Sequence, residues 1–200
     1  MILFFLKKFK WVFLIYDTIQ TMNHNDHVNL IKPAFLDETP NASFADLGAG
    51  SGAFTLALRE VLGANATIYA VDKDKSALRE LENSFVFRFN STSNLIAIYA
   101  DFSKSFSLPP LNGILMANSL HFFKDKIKVL KHIKTYLKPN GKLIMIEYNV
   151  DKGNLWVPYP FSFSTFENMC KESGFDSPKL LATHSSSFLN GFYSALTFAK

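Results

Sequence analysis

Paired cysteines, clustered arginines and long apolar runs are all missing from this chain. Cys170 is the only cysteine among its 200 residues, which excludes an internal disulfide framework and a thiolate metal cluster, and suits a reducing, cytoplasmic compartment. The arginines are Arg59, Arg79 and Arg88, and the lysines are scattered. A net charge of +4 and a pI near 9.0 therefore read as an ordinary solvated surface, with no nucleic-acid partner expected. No apolar run approaches the ~20 residues that a membrane-spanning helix requires. With 48% apolar residues, the chain is too hydrophobic for disorder and long enough for one domain with a sizeable core.

Residues 1–21 stand apart. Two apolar runs, Ile2 to Leu6 and Trp11 to Tyr16, are split by Lys7, Lys8 and Lys10, and Ile15-Tyr16-Asp17-Thr18 offers no small-residue cleavage site. Three readings compete for this extension: a helix packed on the domain, a weak membrane-surface contact, or a stretch ahead of the physiological start. The hydrophilic run after Met22, Asn23-His24-Asn25-Asp26-His27, favours Met22 as the start and residues 22–200 as the domain.

What is present is an alternation of short apolar runs with helical ones. Strands are expected at Phe44 to Leu47, Thr67 to Val71, Leu95 to Tyr99, Gly113 to Ala117 and Lys142 to Glu147, with helices at Ala53 to Leu62, Lys75 to Phe87 and Lys124 to Leu137. Lys138-Pro139-Asn140-Gly141 reads as a turn between the last of these helices and the fifth strand. After an irregular stretch around Trp156 to Pro160 come a helix from Thr165 to Ser173, stopped by Gly174, and strands near Leu180 to Thr183 and Tyr193 to Ala199. Strands apolar on both faces belong inside a mostly parallel α/β sheet, whose right-handed crossovers bring the strand C-termini to one edge.

That edge carries the chemistry. Asp46-Leu47-Gly48-Ala49-Gly50-Ser51-Gly52 lies between a strand and a helix, where glycines let the backbone approach a ligand and the helix start presents free amides. Gly48 to Ala53 also satisfies the relaxed dinucleotide fingerprint, so NAD stays open on this loop alone. Asp72 with Lys73 follows the second strand, Asp101 with Phe102 the third, and Asn118-Ser119-Leu120-His121 the fourth. Asp72 can accept hydrogen bonds from both hydroxyls of a ribose. Asp101 and Phe102 can hold an adenine amino group and cover its ring.

Taken together, Asp46 to Gly52, Val71-Asp72-Lys73, Ala100-Asp101-Phe102, Asn118-Ser119-Leu120 and Leu137 to Gly141 make the chain from about His27 onward resemble a class I S-adenosylmethionine-dependent methyltransferase. The resemblance implies a Rossmann-like seven-stranded sheet with helices on both faces and an antiparallel last strand. It implies S-adenosyl-L-methionine as cofactor, bound by Asp46, Gly48, Ala49, Gly50, Gly52, Asp72, Lys73, Asp101, Phe102, Asn118 and Ser119. Asn118 would sit near the methionine ammonium. Asn112 departs from the Asp found in many relatives, at a position that usually supports structure. Glu147-Tyr148-Asn149 and Trp156 to Phe163 resemble a subgroup of small bacterial methyltransferases, with the aromatics either lining a lid over an apolar acceptor or packing a long connection.

Methyl transfer from a sulfonium needs alignment above all, and a base only where the acceptor must lose a proton. His121, just past the fourth strand, is the catalytic candidate for transfer to a small-molecule acceptor; Glu147 and Tyr148, at the end of the fifth strand, are weaker candidates for the same role. His24 and His27 are read as a solvated helix start or cleft neighbours, His132 as facing outward, and His184 as a loop residue. No pair has metal-ligand spacing. A nicotinamide-dependent oxidoreductase and a non-catalytic adenosylmethionine-binding protein are the alternatives.

Overall fold

The computed structural model describes residues 22–36, 41–186, 188–189 and 191–200. The readings of the extension at 1–21 lie outside the described residues. A seven-stranded sheet organises the rest. Its strands are β1 (Ser43–Leu47), β2 (Thr67–Asp72), β3 (Leu95–Tyr99), β4 (Leu111–Ala117), β5 (Leu137–Tyr148), β6 (Lys179–His184) and β7 (Phe192–Phe198), in the order β3-β2-β1-β4-β5-β7-β6. Neighbours from β3 to β5 are parallel, whereas β7 runs antiparallel to both β5 and β6. This is the Rossmann-like fold with a reversed last strand that the sequence resemblance implies.

Alternation along the strands sorts the core into two layers. Leu143 and Met145 of β5 face a cluster with Val129, Leu130, Ile133, Phe166 and Met169, contributed by α4 (Lys126–Lys134) and α5 (Phe163–Ser173). Ile144 and Ile146 face the other cluster, built with Leu30, Ile31, Phe54 and Leu58 of α1 (His24–Ile31) and α2 (Ala53–Leu62). α3 (Lys75–Phe89) adds Leu78 and Leu81 beneath β2. Every side chain from Leu143 to Ile146 is fully buried, which is why the run shows no polar alternation.

Local chemistry sets the boundaries. α1 opens with a reciprocal capping box between Asn23 and Asp26, α3 with Asp74 accepting from Ser76 and Ala77, and α5 with Ser162 accepting from Thr165. Gly174 ends α5 at φ +80°, as its residue type predicts.

The helix expected over Lys124 to Leu137 is shorter at both ends. Asp125 caps it by accepting from the Lys128 amide, and Thr135 closes it, its hydroxyl donating to the His132 carbonyl. Leu137 belongs to β5, where it pairs with Leu111. The turn expected at Lys138 to Gly141 is a bulge inside β5: pairing resumes only at Gly113 with Lys142, and Asn140 takes φ +60°. Asn112 holds this bulge. Its Oδ1 accepts from Lys138 Nζ at 2.9 Å and from the Ser43 amide at 3.0 Å, joining three strands.

Candidate active site

β1, β2 and β4 end side by side with β3, and their C-terminal ends surround a cavity of about 300 Å³. Its lining is Gly48 and Gly50 after β1, Asp72 and Lys73 after β2, Ala100, Asp101 and Phe102 after β3, and Asn118, Ser119, Phe122 and Phe123 after β4. Ligands bind in this crevice of open α/β sheets because the loops diverge there and free amides point into it.

The glycine loop is folded by its own backbone and by Asp72. Gly48 and Ala49 donate to the Val71 carbonyl, while the Gly50 amide donates to Asp72 Oδ2 at 2.8 Å. Asp72 Oδ1 accepts from the Asp74 amide at 2.9 Å. Each carboxylate oxygen accepts two bonds, so Asp72 retains capacity for a ligand. Gly50 has φ +52°, and a Cβ built there meets no atom within 4 Å, so a side chain has room only in open space. Gly48 is packed instead: a Cβ would lie 2.5 Å from Ser119 Cβ.

Asp46, Ala49 and Gly52 do not line the cavity; they support the loop from behind. Asp46 is 1% exposed and accepts the Thr55 hydroxyl at 2.6 Å through Oδ2, while Oδ1 has no partner among the described residues. Burial pushes its pKa up to about 7, with the Thr55 hydrogen bond opposing and the charge of Asp72 adding to the rise. Asp101 is held below the usual carboxylate range, chiefly by the hydrogen bond from Ser103. Phe102 packs its ring 5.1 Å from that of Phe123. Asn118, at φ +50°, has a buried Oδ1 without a partner among the described residues. Ser119 donates its hydroxyl to the Leu47 carbonyl and so clamps β4 to β1.

His121 lies one residue before the cavity-lining Phe122, on the 3₁₀ turn Leu120–Phe122. It is 3% exposed, and its Nδ1 sits 2.8 Å and 3.0 Å from the two oxygens of Glu147, which is fully buried at the end of β5. The Tyr148 amide donates to Glu147 Oε1 at 3.0 Å. A buried carboxylate is tolerated only when it is paired in this way. Glu147, read from sequence as a lesser candidate for the base itself, is thus the partner of His121.

The remaining histidines are elsewhere. His24 bonds Glu60 at 2.7 Å. His27 packs edge-on to Phe54, and burial, with His24 nearby, lowers its pKa to about 4. His132, expected to face outward, is half-buried against the Lys104 carbonyl at 3.1 Å. The stretch after β5 divides between the two readings made of it: Val157 and Phe161 are core residues, whereas Leu155, Trp156 and Tyr159 are exposed. Sequence reasoning missed Phe122 and Phe123 as lining residues and Thr55 as the partner of Asp46. The aromatic pair that closely follows Asn118 to His121, past the end of β4, was the available signal for the first.

A family model described as "Methyltransferase domain" matches residues 45–143. The chain is 23% identical over 152 residues to the reducing polyketide synthase ppsB of Aspergillus oryzae, spanning 72% of this chain and 6% of the synthase. Among solved structures, the CurJ carbon methyltransferase superposes with a TM-score of 0.67 at 18% identity, covering 82% of this chain and 50% of that one. A SAM dependent methyltransferase from Aquifex aeolicus gives 0.65 at 16% identity, over 90% of this chain and all (100%) of that one.

Proposed function

We propose that this chain is an S-adenosylmethionine-dependent methyltransferase acting on a small-molecule acceptor that must lose a proton. The observation that carries the reading is the convergence of polar groups from four strand ends on one cavity, with the buried, unpartnered Asn118 Oδ1 among them. The residues present fit the cofactor. Asp72 supplies free acceptor capacity for ribose hydroxyls, Asp101 an ionised carboxylate for an adenine amino group, and Phe102 an apolar ring beside it. Asn118 Oδ1 offers an acceptor to the methionine ammonium, and Gly50 leaves backbone room for the methionine chain. Lys73 and Ser119 border the same space. Asp46, Ala49 and Gly52 keep the loop in shape. The reversed β7 departs from the all-parallel order of dinucleotide-binding sheets, and the comparisons do not favour a nicotinamide enzyme.

When bound, the cofactor supplies an electrophilic methyl group and its own leaving group. The protein is left with alignment, exclusion of water, and the acceptor's proton. His121 is suited to the last task. With Nδ1 held by Glu147, its Nε2 keeps the lone pair and can take a proton from an acceptor O–H or activated C–H. Glu147 fixes the tautomer and stabilises the imidazolium that forms.

Calorimetric titration and thermal melts test the reading. S-adenosylmethionine and its demethylated product should raise the melting temperature, since a ligand that prefers the native state stabilises it by mass action. NAD and NADP should leave it unchanged. Asp72→Ala should weaken binding of the demethylated product by about 1.5–3 kcal/mol, the scale of hydrogen bonds to a charged group, with the fold intact. Tight NAD binding without a response to adenosylmethionine would overturn the assignment.

A further inference from the structure

Tyr193 is fully buried, and its hydroxyl has no hydrogen-bond partner among the described residues. Its ring is fixed by Phe161, Phe163 and Phe166, whose centroids lie 6.5, 5.7 and 6.3 Å away. A phenylalanine would satisfy this packing equally well, so the hydroxyl is unexplained by the core. Tyr193 of β7 is the direct register partner of Glu147 of β5. Directly opposed residues of an antiparallel pair project from the same face with neighbouring Cβ atoms. An enclosed phenol and an enclosed carboxylate are therefore borne by neighbouring backbone positions on one face of the sheet.

The other polar groups around Glu147 are few. Its Oε1 accepts from the Tyr148 amide and approaches His121 Nδ1, whereas Oε2 approaches only His121. From α4, Lys126 is half-buried, donates to the Phe123 carbonyl, and feels the charge of Glu147 against the burial that lowers its pKa. From α5 and the segment before it, Cys170 and Asp151 act electrostatically on Tyr193 itself. Burial first, and the Glu147 charge next, push the Tyr193 pKa well above its ordinary value. The phenol thus stays protonated and presents a dipole with no other use, in a medium where dipoles orient toward the nearest charge.

We propose that Tyr193 is a positioning residue for methyl transfer, the dipole of its hydroxyl steadying the Glu147 carboxylate so that it holds His121 in the base-competent tautomer and orientation. This rests on the reading of His121 as the base. The test uses the full chain saturated with the demethylated cofactor, comparing wild type, Tyr193→Phe, Glu147→Gln and the double variant. The imidazole signal of His121 is followed by NMR through its titration.

Loss of the phenol dipole leaves more negative charge on Glu147, which favours the imidazolium. Tyr193→Phe should therefore move the His121 NMR titration to higher pH than in the wild type. The same variant should melt higher, because an unpaired buried hydroxyl has been removed. In the Glu147→Gln background, Tyr193→Phe should leave the His121 midpoint unmoved. A higher melting temperature with an unchanged midpoint would reduce Tyr193 to a packing residue. A shift that persists without Glu147 would equally overturn the proposal. Failure of the demethylated cofactor to bind would instead strike the proposed function, while the coupling among the three side chains stays measurable in the protein alone.

Discussion

Asp46 is buried beneath the glycine loop, and its role is the one least visible in the sequence. Read as a cofactor ligand, it is found behind the loop with one oxygen on Thr55 and the other bare. Its folded pKa lies near 7 against an ordinary 3.8, so the folded chain holds a proton that the unfolded chain has released across that interval. Stability linked to Asp46 is therefore complete below 3.8 and is lost as pH rises through about 7. Asp46→Asn keeps an acceptor for the Thr55 hydroxyl and cannot ionise. It should flatten the decline, giving a higher urea midpoint than wild type above neutrality and a similar one in mild acid. An unchanged pH profile would show that Asp46 ionises freely in the fold. Asp72 and Asp101 were legible because each ends an apolar run at a strand terminus. The pairs Asp46–Thr55 and His121–Glu147 were not. Their members lie 9 and 26 residues apart, and only the sheet brings the second pair together.

At the scale of elements, the strands were readable because burial on both faces leaves continuous apolar runs. The helix starts at Ala53 and Lys75 were readable, whereas those behind the Asp125 and Ser162 caps were each read two residues away from where they lie. The failure at Lys138 to Gly141 has a physical cause: the proline, asparagine and glycine that favour a turn also favour a bulge. Only the Asn112 side chain, reaching across from β4, decides between them. β4 contains another such dependence. A Cβ added to Gly113 would fall 2.1 Å from Phe44 Cε1 of the adjacent β1 strand, both residues lying deep in the sheet. Gly113→Ala should destabilise the protein by about 1–3 kcal/mol, the usual range for overpacking a filled core. Chemical denaturation would measure it, and Phe44→Leu in the same chain should recover part of the loss. A neutral Gly113→Ala would mean that the β1–β4 contact is looser than its geometry.

For the whole molecule, the described residues that line the cavity all fall between Gly48 and Phe123, downstream of the extension at 1–21. A chain beginning at Met22 should fold and bind the demethylated cofactor with the affinity of the full chain. Paired calorimetric titrations and liposome co-sedimentation would decide this. A marked loss of affinity, or lipid binding by the full chain alone, would give the extension a function. The order of strands also bears on how the molecule is made. β7 stands between β5 and β6, yet it is synthesised after both, and among the described residues β6 pairs only with β7. On the ribosome, the half from β3 to β5 can close as it emerges. β6 must wait, its amides unpaired, for a strand not yet translated. The nascent chain thus passes through a state with the exposed flank of β5 open to any passing strand, and a chaperone that shields such an edge would act in that interval.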